Sequence, residues 1–299
     1  MKVLITGGSG LLGRAITKKL LEKKVEVVHL TRSKNSASGV KTYEWDWENN
    51  IIDENCFSDV THVIHLAGAG IAEKPWTMAR KRTIIKSRVL TARLIHEKIS
   101  SLDIPIEAFI SASGIGYYGA ITNQKNYSEE DKPHNDFIAQ CCVQWEQSAD
   151  LFNKNSRVVK FRLGIILDKK QGAIPKILGF IKKGIGSALG KGTQYMPWIH
   201  IEDASNLFIY ALENKQINGT FNAVSNEHVD NSTLTKKLAL ANNRKIRLPS
   251  VPSVVVKLIY GELANILLEG VKVNNSKITE AGFTFKYKTI DAAFKSLFS

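Results

Sequence analysis

Near its beginning the chain runs an apolar segment, Lys2-Val3-Leu4-Ile5-Thr6, into Gly7-Gly8-Ser9-Gly10-Leu11-Leu12-Gly13 and then into a helical pattern. Glycines three apart between a strand and a helix leave few folds open. Gly7 permits the tight turn that ends the strand, Gly10 lets backbone N–H groups approach a diphosphate, and Gly13 lets the helix pack close to the sheet. Residues 14–23 read as an amphipathic helix and 25–30 as a second buried strand, which completes a strand–helix–strand unit of about 30 residues. Such a unit binds a dinucleotide, with its pyrophosphate at the positive N-terminus of the helix.

At the end of the second strand, where an acidic residue would bind the 2′-hydroxyl of NAD, stands Thr31-Arg32. A guanidinium pairs bidentately with a 2′-phosphate, which favours NADP over NAD. Arg32 also reads as a solvated surface charge.

A chain of 299 residues with 43% hydrophobic content builds an ordinary core, as one large domain or two unequal ones. Its 41 Lys and Arg against 28 Asp and Glu give a net charge of +13. The lysines are spread over most of the chain. The densest run, Arg80-Lys81-Arg82 with Lys86 and Arg88, lies in one helical stretch, and no zinc-finger or RNA-binding signature accompanies it. The expected partner is a small-molecule substrate, not nucleic acid. Cys56, Cys141 and Cys142 form neither a disulfide framework nor a Cys-x-x-Cys pair, which implies a reducing compartment. Met1 leads directly into the first strand, and no apolar run approaches the ~20 residues that cross a bilayer; a cytoplasmic protein away from membranes is expected.

Strands at 41–45, 61–66, 106–111 and 157–163 alternate with helices at 78–100 and 136–153. That rhythm predicts an α/β fold with a doubly wound parallel sheet and right-handed crossovers. The 61–66 strand ends in Ala67-Gly68-Ala69-Gly70, small residues that leave space for a ligand at the rim of the sheet. Beyond Gly164 the pattern breaks into loops carrying Gly184, Gly186, Gly190 and Gly192, a strand at 198–201 and a helix at 202–214. Short helical patterns fill the remainder.

Taken in order, Gly7-x-x-Gly10-x-x-Gly13, Leu66-Ala67-Gly68, Ser111-Ala112-Ser113 followed by Tyr117-Tyr118-Gly119, Phe161-Arg162-Leu163-Gly164, and Trp198-Ile199-His200-Ile201-Glu202-Asp203 resemble the extended short-chain dehydrogenases/reductases. That is the NAD-dependent epimerase/dehydratase group. Trp76-Thr77, Ser87-Arg88-Val89, Gly261-Glu262 and Leu267-Leu268-Glu269-Gly270 narrow the likeness to an epimerase-like subfamily with a short C-terminal domain of unknown role. The resemblance implies a Rossmann-type cofactor domain from residues 1–163 plus 199–223, and a small, mostly helical substrate region from 164–198 plus 224–299. It implies NADP as cofactor, with Gly7, Gly10, Leu11, Leu12 and Gly13 along the pyrophosphate and Arg32 on the 2′-phosphate. Leu66, Ala67 and Gly68 would line the adenosine or nicotinamide ribose. Arg88 would be a further phosphate or ribose contact, or else an exposed helix arginine.

The family resemblance also implies a Tyr as general acid/base, a Lys four residues later and a Ser that positions the substrate oxygen. Ser113, with Tyr117 after it, fits the serine segment. The family spacing puts the Tyr and Lys on Ile138 and Cys142, with Glu146 in phase behind them, and a register shifted by one puts them on Phe137 and Cys141. Neither pair performs that proton transfer. The catalytic candidates are therefore Ser113, Tyr117, Tyr118 and His200. The tyrosines equally read as packed aromatics with satisfied hydroxyls, and His200 as a hydrogen-bonded rim histidine. Cys142, beside Ile138, Val143 and Trp145, reads as an inert buried thiol. The expected function is that of an NADP-binding oxidoreductase or epimerase-like enzyme acting on a small carbonyl or sugar-like substrate. The alternative is a catalytically inactive NADP-binding regulatory protein whose cofactor orders the C-terminal region for a partner.

Overall fold

Residues 1–32 and 39–299 are described by the structure, a computed structural model. The first half of the chain forms β1 (Lys2–Thr6), α1 (Leu11–Glu22), β2 (Glu26–Thr31), β3 (Lys41–Asp46), β4 (Ile51–Ile52), β5 (His62–His65), α2 (Met78–Ser101), β6 (Ala108–Gly114), β7 (Asn126–Tyr127) and α3 (Phe137–Asp150). The second half forms β8 (Arg157–Leu163), β9 (Ile165–Leu167), α4 (Ala173–Lys182), β10 (Trp198–His200), α5 (Ile201–Glu213), β11 (Gly219–Ala223) and α6 (Asn231–Leu240). It closes with α7 (Ser253–Tyr260), α8 (Asn265–Leu268), β12 (Lys272–Val273), α9 (Ser276–Glu280) and α10 (Ile290–Phe298).

Alternation along the strands sets the layers. Val3, Ile5, Ile64, Ile110 and Phe161 cluster with Ile16 and Leu20 of α1 and Leu207 and Phe208 of α5 on one face. Leu4, Val63, Phe109 and Val158 cluster with Ile95 and Ile99 of α2 on the other. Each such side chain contributes about 1.5–3 kcal/mol on burial. The helices start where local chemistry lets them: Thr77 Oγ1 accepts the N–H of Arg80 at 3.1 Å ahead of α2, and Asp136 Oδ1 accepts that of Ala139 at 2.9 Å ahead of α3.

The sheet runs β11-β8-β6-β5-β1-β2-β3-β4, parallel except for the antiparallel β3–β4 pair. The α/β, doubly wound expectation holds. From β1 the chain builds outward through β2, and it returns through β5 to build the other way, so the crevice at the carboxyl ends of β1 and β5 is the ligand-binding position of such sheets. The strand expected at 198–201 appears as β10, but it pairs with β9 and stands apart from the large sheet. β7 pairs with β12 and so ties the segment after β6 to the C-terminal region. Ile278, Phe283 and Phe285 join the α1–α5 cluster. The buried Asp203 carboxylate of α5 accepts the backbone N–H of Lys286 and of Tyr287, both at 2.9 Å.

Candidate functional site

Gly7 turns the chain out of β1 at φ +69°, and a Cβ there would meet the Leu66 carbonyl carbon at 2.9 Å. A Cβ on Gly13 would lie 2.3 Å from the Gly7 carbonyl oxygen. The turn and the β5 rim are therefore in backbone contact, and only glycine permits it. Gly10 donates its N–H to Gly7 O at 3.0 Å and caps α1 with no side-chain bond, and the first turn carries no acidic residue. The N–H groups of Leu11, Leu12 and Gly13 thus sit at a positive helix end without intrahelical partners. Across the crevice, Thr6 Oγ1 accepts the N–H groups of Leu66 and Ala67, both at 3.1 Å, and Ser87 Oγ accepts that of Ala69 at 2.9 Å. Gly68 is exposed on the rim so held. Arg32 is exposed at the end of β2 and has no ion-pair partner among the described residues. A diphosphate over the turn fits this cradle.

Arg88 is not an exposed helix arginine. It is 5% exposed and lies under Gly68, where a Cβ would meet its Cζ at 2.9 Å. Its Nη1 donates to Ala69 O at 3.0 Å and Ile84 O at 2.9 Å, and the guanidinium covers the Trp145 ring at 4.8 Å. The buried Nε has no partner, no carboxylate of the described residues pairs with the group, and burial pulls its pKa down. An uncompensated buried cation at the ligand rim is costly unless a ligand completes it.

Ser113 and Tyr118 are committed to the fold. Ser113 Oγ donates to Glu146 Oε1 at 2.7 Å, and Arg162 holds the same carboxylate bidentately through Nε and Nη2 at 2.8 and 2.9 Å. Arg162 Nη1 donates to the Tyr118 hydroxyl at 3.0 Å, which donates to Asn222 Oδ1 at 2.7 Å. All five side chains are buried. Burial works against the Arg162 charge, yet the Glu146 carboxylate outweighs it and raises the Arg162 pKa; burial also raises the Tyr118 hydroxyl above its ordinary range, away from acid/base work at neutral pH. Tyr117 is different. It is half-buried, with its ring 3.3 Å from the Arg162 guanidinium, and its hydroxyl has no hydrogen-bond partner among the described residues.

His200 caps α5: its Nδ1 accepts the N–H of Glu202 at 3.1 Å, and its ring packs 3.8 Å from that of Tyr287. Burial lowers its pKa to about 4, so the ring is neutral at pH 7. None of its contacts is shared with Ser113 or Tyr117. The positions that the resemblance assigns to Tyr and Lys are filled by packing. Ile138 lies under Gly116, and the Cys142 thiol lies against Gly114 and Gly116, its pKa pushed up by burial.

Sequence reasoning missed two parts of this region. Arg162 stood inside a quoted motif, and a charge in a buried parallel strand was the available signal. His134 carried none. Its Nδ1 lies 3.2 Å from Asp136 Oδ2, and both residues line a cavity of about 500 Å3 together with Trp76, Phe137 and Ile138. Ile138 lines this cavity and lies against Gly116. The described residues include no group of His, Cys, Asp or Glu that could hold a metal ion, and no helix long and apolar enough to cross a membrane.

Comparisons with known proteins agree with the geometry. Residues 3–223 match the family "NAD dependent epimerase/dehydratase", and residues 251–297 match a "Domain of unknown function (DUF1731)". An Arabidopsis thaliana relative, "Epimerase family protein SDR39U1 homolog, chloroplastic", is 33% identical over 99% of this chain and 86% of its own length. The crystal structure of human epimerase family protein SDR39U1 (isoform 2) with NADPH superposes with a TM-score of 0.88 at 27% identity, covering 99% of both chains. The UDP-glucose 4-epimerase of Thermus thermophilus, complexed with NAD, shares the fold at a TM-score of 0.80 and 19% identity, covering 99% of this chain and 98% of its own. With a glycine-turn crevice at the β1–β5 switch and a family match running from β1 to β11, the chain belongs to the NAD dependent epimerase/dehydratase family.

Proposed function

We propose that this protein is an NADP-dependent oxidoreductase or epimerase-like enzyme acting on a small carbonyl or sugar-like compound. The observation that carries this is the dinucleotide cradle at the β1–β5 crevice. NADP over NAD is supported by Arg32, exposed and without an ion-pair partner among the described residues, and by the NADPH complex of the human relative. When bound, the nicotinamide supplies or accepts a hydride. The α1 N-terminus holds the diphosphate, Thr6 and Ser87 fix the rim beside it, and the groups free to carry a proton are Tyr117 and His134. The chain's positive charge is assigned to its surface and to phosphate binding, with no nucleic-acid or membrane partner. A cytoplasmic, reducing setting is supported by Cys56, Cys141 and Cys142, all buried and unpaired.

Two measurements test this. NADPH and NADH titrated against wild type and Arg32→Ala should show an NADPH preference that the substitution removes; equal NADPH affinity in the two proteins overturns the cofactor assignment. NADPH oxidation with a panel of small aldehydes and ketones should give turnover that Tyr117→Phe or His134→Gln abolishes without weakening NADPH binding. The second reading, an inactive NADP-binding regulator, is favoured by the Ser113–Glu146–Arg162–Tyr118 chain, which occupies the groups that catalysis would use. Tight NADPH binding with no NADPH oxidation across the panel, and no epimerisation of sugar-like compounds in the presence of NADP+, selects it.

A further inference from the structure

Lysines are spread through the chain, but the acids that balance them are not. Residues 169–201 and 231–260 hold 12 of the 41 Lys and Arg and none of the 28 Asp and Glu, which leaves 29 against 28 everywhere else. The excess charge of the molecule is therefore local. Eleven of these twelve cations are exposed with no ion-pair partner among the described residues; the twelfth, Lys237, is paired with Asp291 at 2.6 Å.

The same two stretches carry eight of the fourteen large hydrophobic side chains exposed among the described residues. Four of them form one face of α7: Val254 and Leu258, 74% and 85% exposed, and beside them Val255 and Ile259. Val256 is buried and points the helix the other way, so α7 turns its aliphatic face outward. The stretches are stitched together just ahead of this helix. Gly190 donates its N–H to Val251 O and Val251 donates to Ala188 O, both at 2.8 Å, while Ser187 Oγ donates to Pro249 O at 2.7 Å. Lys182, Lys183 and Ile185 after α4 thus join Arg244, Lys245 and Arg247 in leading up to the α7 face.

Charge and relief select the occupant. A second copy would bring like charge against like, and a nucleic acid would leave the aliphatic face in water. A lipid surface is matched by interfacial aromatic rings, and the exposed face of α7 has none. Parallel ridges at i and i+4, Val254–Leu258 and Val255–Ile259, are the relief into which another helix packs. We propose that α7, with the cations that lead up to it, is a docking surface for an acidic amphipathic helix of a partner protein. The surface shares no residue with the cofactor crevice, so it serves an enzyme and a regulator alike.

Fluorescence anisotropy of the full chain with two labelled peptides of about 18 residues tests this. One has leucines along one helical face and glutamates among alanines elsewhere; the other has lysine at each glutamate. The acidic peptide should bind about tenfold more tightly than the basic one, and less tightly as salt rises. Leu258→Asn and, separately, Val254→Asn should each weaken it about tenfold with melting temperature and NADPH affinity unchanged. Lys182→Glu with Lys183→Glu should weaken it about threefold and flatten the salt dependence. No binding of the acidic peptide, equal binding of the two, or unchanged affinity in both asparagine variants overturns the proposal. So does either of two other occupants: sedimentation with phosphatidylcholine–phosphatidylglycerol vesicles, or dimerisation in solution, that Leu258→Asn abolishes.

Discussion

Ser113 Oγ and Arg162 Nε meet on a single oxygen of Glu146, at 2.7 and 2.8 Å, so the serine that would position a substrate oxygen is instead holding an ion pair. Ser113→Ala should therefore lower stability by about 1–2 kcal/mol, as expected for one bond to a charged acceptor that keeps its other partners. Glu146→Gln, which strands the buried Arg162 charge, should cost about 3–5 kcal/mol. Urea unfolding measures both. A Ser113→Ala protein of unchanged stability and abolished turnover would return Ser113 to the substrate.

Tyr118 and Tyr117 are neighbours with opposite prospects. Tyr118→Phe leaves Arg162 Nη1 and Asn222 Oδ1 without their shared partner and should destabilise by about 1–3 kcal/mol. Tyr117→Phe keeps the ring on the guanidinium and should stay within about 0.5 kcal/mol of wild type. Thermal melts distinguish them, and a turnover loss confined to Tyr117→Phe would mark its phenol as the proton carrier.

Arg88 offers a direct test of the rim. Arg88→Gln should weaken NADPH binding about tenfold; it removes an unpaired buried charge together with its bonds to Ala69 O and Ile84 O and its contact with the Trp145 ring, so affinity is read alongside the melting temperature. Equal NADPH affinity in wild type and Arg88→Gln would falsify the assignment of Arg88 to the ligand rim.

Acid should loosen the protein before its carboxylates titrate. Burial lowers the pKa of His29 to about 4, of His65 to about 3 and of His200 to about 4, from an ordinary 6.5. Below pH 6.5 the unfolded chain takes up protons that the folded chain refuses, so stability falls as pH drops toward those values. Melting temperature recorded from pH 7 down to about 4 should decline steadily. His200→Asn keeps a capping side chain at α5 and removes one titration, so its decline should be shallower; an identical slope would exclude His200 as a contributor.

The glycine turn is legible in the sequence because its chemistry is local: Gly7, Gly10 and Gly13 act through their own backbone within one turn and one helix. The long strands and helices are legible for the same reason, since Val3-Leu4-Ile5 or the α1 pattern carries a period. β4, β7, β9 and β12 are two or three residues long and carry none. The polar chain from Ser113 to Asn222 joins β6, α3, β8 and β11, and no spacing announces it, although Glu146 stood in phase behind Ile138 and Cys142. His134 and Glu269 become neighbours of one cavity only when the β7–β12 pair closes the C-terminal region over the loop after β6.

The Asp203 clasp on Lys286 and Tyr287 bears on how such a chain can be cut and recombined. Two family matches divide the sequence near residue 250, yet the folded object has no seam there, because Phe283 and Phe285 complete the packing of α1 and α5 and a buried carboxylate depends on two amides from the far end of the chain. A protease or a gene truncation that removes the last segment would strip a wall from the cofactor half and leave Asp203 solvating itself. The C-terminal region is thus not a cassette to be exchanged between relatives. Any recombination that swaps it must carry α5 with it.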